Sequence, residues 1–138
     1  MTIVGFNFNK INVEKTSSKQ GKLTISNNFG LKSIAESKVN FGGDKSKVLQ
    51  FEFTFESKYE PEIASIKLEG DLLFMVPGTE AEAILKDWTE SKKLPNQYTE
   101  PIMNAILNRC NVESLILSRE LNLPSPIPLP KVNIKNKE

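Results

Sequence analysis

Two neighbouring stretches of the chain alternate apolar and polar side chains, and this alternation constrains the fold more than any other feature of the sequence. An extended strand places every second side chain on the same face, so each stretch can bury one face and expose the other. Because only a short loop around Tyr59-Glu60-Pro61 separates the two stretches, they predict an antiparallel hairpin. The apolar positions are Leu49, Phe51, Phe53 and Phe55 in the first stretch and Ala64, Ile66, Leu68, Leu72 and Phe74 in the second.

The N-terminal residues predict another strand, with an irregularity in its middle. Val4, Phe6 and Phe8 alternate with polar or small residues, but the alternation has changed phase by Ile11. A β-bulge near Asn9-Lys10 would return both halves to one face of the sheet.

Residues 22–34 predict a weaker strand between the first strand and the hairpin. Leu23 and Ile25 alternate with polar residues, and turn-prone residues then interrupt the pattern. We therefore expect a bend or a break at Asn27-Asn28. The run Gly42-Gly43-Asp44 predicts the loop that leads into the hairpin.

The second half of the chain predicts two helices. After Pro77-Gly78, the residues Thr79 and Glu82 have the spacing of a capping box, and a helix is predicted from Glu80 to about Lys92. Its apolar face holds Ala81, Ile84, Leu85 and Trp88. A longer helical region follows Pro95-Asn96, and its sequence leaves open a bend or restart near Asn111. Its apolar residues are Ile102, Met103, Ile106, Leu107, Cys110, Val112, Leu115, Ile116 and Leu117.

The order of these elements predicts a single α+β domain over residues 1–138, with a four-stranded antiparallel sheet followed by two helices on one face. Four prolines between Pro124 and Pro130 then predict an extended segment, and residues 131–138 are expected to be a flexible tail. The strand end Leu72–Val76 and the second helix are apolar on more than one side. We therefore expect a homo-oligomer, the alternative being that the first helix covers the second within one subunit.

The composition argues against several classes of function. The chain has no histidine and one cysteine, Cys110, so the usual general base and the zinc-site spacings are missing. Lys and Arg total 18 against 17 for Asp and Glu, which gives no surplus of positive charge to attract nucleic acid. The carboxylates Glu52, Glu56, Glu69 and Asp71 fall on polar strand faces. We therefore expect neither an enzyme nor a cofactor, and we interpret Cys110 as a buried structural thiol.

The sequence also predicts a cytoplasmic protein without membrane insertion. The N-terminus lacks the charged and apolar regions of a signal peptide, and a single cysteine is typical of a reducing compartment. The apolar run at residues 72–76 is far shorter than the ~18 residues that span a bilayer.

Three stretches of this chain resemble the SecB family of protein-export chaperones. The run Phe6-Asn7-Phe8-Asn9-Lys10-Ile11 is similar to the first strand of that family. The segment Leu94-Pro95-Asn96, followed by Pro101-Ile102-Met103-Asn104-Ala105-Ile106, resembles its Pro-Asn break and second helix. The run Leu121-Asn122-Leu123-Pro124 is similar to the family's Leu-Asn-Leu-Ala-Pro motif. The order and spacing of the three stretches carry the resemblance over most of the chain.

The resemblance implies a dimer or dimer of dimers that holds unfolded polypeptides in hydrophobic grooves without ATP. Relatives of this family serve as chaperones of toxin–antitoxin systems. The acidic, metal-binding tail that engages the SecA motor is missing here, and Lys67 stands where an acidic motor contact is expected. Both differences argue against coupling to SecA and leave the holding of clients unaffected.

The residues proposed to bind polypeptide combine apolar character with places where the family forms its grooves. Three other functions stay open at this point: a carrier of small apolar ligands, an enzyme that uses carboxylates alone, and a chaperone dedicated to one partner. The candidate residues are Phe6, Phe8, Phe29, Phe41, Phe74, Met103, Leu107, Ile127 and Leu129.

Overall fold

The alternating stretches form one antiparallel sheet, and the two helices follow it in the chain. The computed structural model describes residues 2–16, 23–38 and 45–127. The strands are β1 (Thr2–Lys15), β2 (Thr24–Glu36), β3 (Ser46–Glu60) and β4 (Ala64–Pro77), and the helices are α1 (Gly78–Ser91) and α2 (Asn96–Glu120). The predicted fold class, a four-stranded antiparallel sheet followed by two helices, is confirmed.

The strands lie in the order β1-β4-β3-β2, so the central hairpin is flanked by β1 and β2 as edge strands. β3 and β4 pair along their whole lengths, with Phe51 opposite Leu72, as the alternation predicts. β1 pairs with the free side of β4, and its register shifts between Phe8 and Lys10. The predicted β-bulge is therefore confirmed, and a further shift lies between Ile3 and Gly5.

The predicted bend or break at Asn27-Asn28 is wrong, because β2 continues through these residues. Asn27 and Asn28 stay in register with Ser57 and Glu56 of β3. The Asn27 side chain accepts a hydrogen bond from Ser57 Oγ and donates one from Nδ2 to the Pro126 carbonyl oxygen at 2.9 Å. Tertiary partners thus satisfy an amide that could otherwise have turned back on its own backbone. The predicted loop at residues 42–44 lies outside the described residues.

The core lies between one face of the sheet and the two helices. Alternate residues of β3 and β4 face the helices and are almost fully buried, which explains the period of two in the sequence. The helices contribute residues at helical spacing to the same core. The buried helical side chains of this core are Ala81, Ile84, Tyr98, Ile102, Ile106 and Cys110.

The predicted capping box at Thr79 is wrong, because α1 starts earlier than predicted. Pro77 is the N-cap residue, and no side chain caps the helix. The Gly78 N–H donates to the Lys45 carbonyl oxygen at 3.0 Å, so the loop before β3 satisfies one of the donors that a cap would serve. Thr79 therefore lies within the first turn and not before it.

α2 runs without interruption from Asn96 to Glu120, which settles the open question at Asn111. Pro101 lies inside the helix, although its ring removes one backbone donor. Beyond the helix, the extended segment 123–127 crosses the sheet, and the Tyr59 hydroxyl donates to the Pro124 carbonyl oxygen. Within the described residues, neither helix is long and apolar enough to span a membrane.

Candidate functional site

The course of α2 leaves parts of the helix-bearing face of the sheet uncovered. Near its start, the Tyr98 ring meets the Phe74 ring edge-on, with centroids 6.1 Å apart, close to the end of β4. Just past its end, the Leu121 carbonyl oxygen accepts a hydrogen bond from Lys15 Nζ at 3.1 Å, at the last residue of β1. α2 therefore runs antiparallel to β4, and most apolar side chains of the two edge strands remain only partly covered.

A row of large apolar side chains follows edge strand β1 on this face, and we name it the aromatic surface. It consists of Ile3, Phe6, Phe8 and Ile11, which pair with helix-facing residues of β4. Both phenylalanines are half-buried, whereas Ile3 is 42% exposed and Ile11 46%. Exposed apolar side chains contiguous with half-buried aromatic rings are typical of surfaces that bind another polypeptide.

Gly70 shapes the aromatic surface by leaving a gap in the middle of the sheet. It pairs with Phe8 on one side and with Phe53 on the other. A Cβ atom at this position would lie against the Asn7 carbonyl oxygen and 2.9 Å from Phe53 Cζ. The rings can therefore meet across β4: Phe6 stacks on Phe53 at a centroid distance of 5.2 Å and meets Phe8 edge-on at 5.1 Å.

A cation lies on the aromatic surface at its α2 side. The Arg109 guanidinium stands 4.8 Å from the centre of the Phe6 ring, within the range of a cation–π interaction. The Arg109 side chain is exposed and forms one rim of this surface. The arrangement offers apolar contact area with a positive charge at one side.

A second partly covered apolar region lies at the other edge of the sheet, where β2, the end of α1 and α2 come together. It is a cleft of about 360 Å³. Its apolar walls are Leu31, Trp88, Leu94 and Met103, and Lys92 and Lys93 also line it. We name it the lysine-flanked cleft.

The structure distributes the candidate residues over several places. Phe6 and Phe8 lie in the aromatic surface, and Met103 lies in the lysine-flanked cleft. Phe29, Leu107 and Ile127 are half-buried on β2, α2 and the C-terminal segment. The described members of the set are therefore spread over β1, β2, α2 and the C-terminal segment, and no cleft formed by the described residues is lined by all of them.

One candidate residue lies in the core and not at the surface. Phe74 is only 4% exposed and packs edge-on against Phe51 and Tyr98. The expectation that it could be exposed in a groove is therefore corrected, because the first turn of α2 covers it. Phe41 and Leu129 lie outside the described residues.

Several residues of these regions were missed by reasoning from the sequence. In the sequence Ile3 and Ile11 are out of phase with Phe6. The register shifts between Ile3 and Gly5 and between Phe8 and Lys10 bring all three side chains to one face. Arg109 could not have been chosen from the sequence, because its placement over Phe6 is a contact between α2 and β1. Lys92 lies four residues after Trp88, so this contact is local, and the i,i+4 spacing could have indicated it. Trp88 was assigned to the core-facing side of α1, and it does pack partly against the core while it also lines the cleft.

The opposite face of the sheet is polar along β4 from Ser65 to Asp71. Glu69 lies between two lysines, 3.9 Å from Lys10 Nζ and 3.6 Å from Lys32 Nζ. Glu56 is 3.6 Å from Lys67 Nζ. Glu56 and Glu69 therefore form partly exposed ion pairs with lysines of neighbouring strands. Such pairs contribute little to stability.

The single cysteine lies on the buried face of α2. Cys110 is fully buried, and burial raises the pKa of its thiol to about 12. A thiol that stays protonated at neutral pH is a poor nucleophile, which favours the structural interpretation of this residue.

Comparison with known proteins shows the fold. No protein-family model matches the chain, and a search of curated proteins gives no match either. Among solved structures, the chain is similar to a SecB-like chaperone of Mycobacterium tuberculosis in complex with a ChAD peptide from an antitoxin. The TM-score is 0.56 at 14% sequence identity, over 96% of this chain and 89% of the other. The resemblance to SecB found in the sequence is thus confirmed at the level of the fold.

Proposed function

We propose, starting from the SecB-like fold and the aromatic surface, that this chain is a non-enzymatic holding chaperone. It binds unfolded or non-native polypeptides through half-exposed apolar side chains and needs no ATP. The observation that carries the proposal is the row formed by Ile3, Phe6, Phe8 and Ile11, which α2 leaves open along an edge strand. The similar mycobacterial protein, solved with a bound peptide, supports a polypeptide as the ligand.

The chemistry of the aromatic surface suits a chaperone with many clients. Apolar contacts are non-directional, so they do not require a particular client sequence. Each large apolar side chain that is buried on binding contributes roughly 1.5–3 kcal/mol, reduced here because the rings are already half-covered. Several such contacts, less the cost of ordering the client, reach about −8 kcal/mol, which corresponds to micromolar binding. Such affinity holds a client and still releases it.

We propose that the working form is a homo-oligomer, a dimer or a dimer of dimers. Val112 and Ile116 lie on α2 with 54% and 50% of their surfaces exposed. On the other face of the sheet, Leu73 and Met75 remain half-exposed at the apolar end of β4. A second copy would bury such side chains, and association would bring two sets of client contacts together.

The proposed role is the holding of clients, without coupling to the SecA motor. On the polar face of the sheet, Lys67 is engaged with Glu56 and presents a positive charge in place of an acidic contact. Placement in the cytoplasm agrees with one buried, unpaired cysteine.

A second candidate is a chaperone dedicated to one partner, of the toxin–antitoxin type. It is favoured by the antitoxin peptide in the similar mycobacterial structure. A dedicated chaperone would protect one protein and leave unrelated unfolded proteins to aggregate. A carrier of small apolar ligands is a third candidate, which the lysine-flanked cleft could serve.

The experiment is to dilute a chemically denatured test protein into buffer and follow light scattering, with and without a stoichiometric amount of this chain. No ATP is added. We expect suppressed scattering and a complex that is stable on a sizing column. Several unrelated test proteins should be protected alike, because apolar contacts tolerate many sequences.

Undiminished aggregation of every test protein by a folded sample would contradict the general chaperone. Protection of a single partner only would favour the dedicated chaperone. Circular dichroism of the same sample serves as the control, because it separates loss of function from loss of fold.

A further inference from the structure

We propose that the lysine-flanked cleft is a second client site, which takes an apolar side chain that is flanked by acidic residues in the client chain. The cleft lies between β2, the end of α1 and the start of α2, away from the aromatic surface on β1. Because its occupant is a segment of a bound polypeptide, the proposal rests on the proposed function and specifies which clients are preferred.

The shape of the cleft fits an apolar anchor. Its volume of about 360 Å³ is at the lower end of the roughly 300–1,000 Å³ that ligand sites occupy. Leu31, Leu94 and Met103 supply aliphatic walls, and Trp88 supplies a large flat one. A methionine at the edge of such a site can adjust to side chains of different shapes. The cleft therefore holds one or two large apolar side chains without demanding one sequence.

The charge at the cleft selects what flanks the anchor. Lys92 and Lys93 both line it, and Lys92 Nζ stands 5.4 Å from the centre of the Trp88 ring. Among the described residues, neither lysine forms an ion pair, so no carboxylate of this chain competes there with one from a client. The lysines that do form ion pairs within the described residues all lie on the strands: Lys10, Lys32, Lys47, Lys58 and Lys67.

The backbone at the end of α1 fixes these charges beside the apolar walls. Lys92 is the C-cap residue in a left-handed conformation, with φ of 56°, and its N–H donates to the Trp88 carbonyl oxygen at 2.9 Å. This bend turns the chain at Lys92 and leads directly into Leu94, another wall of the cleft. One short segment thus presents cationic and apolar groups side by side. This arrangement matches a ligand in which acidic and apolar groups are adjacent.

The test uses Trp88 as its own reporter, because it is the only tryptophan in the chain. Short peptides without tryptophan or tyrosine carry the sequence Leu-Met-Asp-Asp or its uncharged analogue Leu-Met-Asn-Asn within a neutral frame. Each is titrated into the full chain while the emission of Trp88 and the anisotropy of a dye on the peptide are recorded. The matched variants are Lys92→Gln with Lys93→Gln, and as a control Lys86→Gln, an exposed lysine of α1 that does not line the cleft.

We expect the acidic peptide to bind about fivefold more tightly than its amide analogue at low salt, as two partly exposed ion pairs allow. Binding should shift the Trp88 emission, and the difference between peptides should shrink as salt is added. The double lysine variant should bind both peptides alike, whereas Lys86→Gln should keep the preference.

Equal binding of the two peptides by the unsubstituted chain overturns the proposal, and so does binding that leaves Trp88 emission unchanged. A shift caused by dodecanoate, at concentrations where the acidic peptide causes none, would make the cleft a fatty-acid site and also overturn it. Each of these results would contradict the cleft as a client site but would not affect the suppression of aggregation, which tests the proposed function. If the chain failed to suppress aggregation, the proposed function itself would be contradicted.

Discussion

At the scale of single residues, Gly70 is the position where the smallest change should have the largest effect. Its missing side chain lets the Phe6 and Phe53 rings meet across β4, and the neighbouring strand approaches closely. The sequence shows only a glycine inside a strand, which commonly marks a bulge or a close approach of backbone. Which atoms approach it depends on Asn7 and Phe8 of β1, which lie more than sixty positions away in the chain.

We expect Gly70→Ala to lower the free energy of unfolding by about 1–3 kcal/mol, the usual cost of overpacking. The added Cβ would lie against the Asn7 carbonyl oxygen and 3.0 Å from Phe8 Cα, where the backbone cannot yield without breaking strand pairing. Thermal or urea unfolding measures the change. Gly30→Ala is the matched control, because a Cβ there meets nothing within 4 Å. Equal stability of the two variants would contradict the close approach at Gly70.

Phe6→Ala tests the aromatic surface directly. Because the ring is half-buried in the free protein, we expect its loss to weaken client binding by about 1 kcal/mol, roughly fivefold. The fold should survive, and anisotropy titration with an unfolded client measures the affinity. Phe55→Ala is the contrasting variant, because that ring is 2% exposed and its removal should cost about 3–5 kcal/mol of stability. If Phe6→Ala unfolds the chain while the folded fraction binds clients normally, Phe6 belongs to the core.

At the scale of elements, the C-terminal segment 123–127 is held to the sheet by side chains of β2 and β3. Tyr59 donates its hydroxyl hydrogen to the Pro124 carbonyl oxygen, and Asn27 donates to that of Pro126. Burial raises the pKa of Tyr59 to about 12, from an ordinary value of 10.0. Because folding raises the pKa of this phenol, the unfolded chain loses the phenol proton at a lower pH than the folded chain does. Its contribution to stability is therefore complete below pH 10.0 and is lost as the pH rises toward 12.

We expect the free energy of unfolding to fall as the pH rises through this range. For Tyr59→Phe, the free energy of unfolding should fall less steeply. At neutral pH the variant should lose ~1 kcal/mol, because the hydrogen bond to Pro124 is missing. Urea unfolding across the alkaline range provides both quantities. Some dependence should remain in the variant, because burial also raises the pKa of Cys110 and of Tyr98. An unchanged slope in Tyr59→Phe would show that Tyr59 is not the group responsible.

At the scale of the whole molecule, the unpartnered apolar side chains of α2 predict association between copies. We expect Ile116→Asp to shift the mass in light scattering after size exclusion toward the monomer. A carboxylate at this half-exposed position would have to be buried without a partner, which is costly. Asn108→Asp adds the same charge at an exposed polar position of the same helix and should leave the mass unchanged. A monomeric starting protein, or an unshifted mass, would contradict the proposed oligomer.

The sequence predicted features that depend on neighbouring residues better than features that depend on residues far apart in the chain. The hairpin of β3 and β4 was predictable, because apolar and polar residues alternate along both strands and the apolar ones form the buried face. The bulge in β1 was predictable for the same reason, since a strand whose alternation changes phase needs an extra residue to keep one face buried. The start of α1 was not, because the loop at Lys45 satisfies the donor that a capping box would have served.

The candidate site divides in the same way. Phe6, Phe8 and Met103 were found from apolar patterning, and each lies in a partly open apolar region. Phe74 has the same pattern and is buried, because only the packing of Tyr98 decides whether that end of β4 is covered. Apolar character can be read from a residue, but its exposure depends on which other element lies over it.

By itself, the sequence determined the elements, their order and the face of each that must be buried, because those properties follow from the spacing of neighbouring side chains. The tertiary structure alone decided the path of α2 across the sheet. That path leaves the aromatic surface open on one side and the lysine-flanked cleft on the other. It also set Arg109 over Phe6. These features depend on how elements pack, and packing is settled by the shape and volume of the whole core.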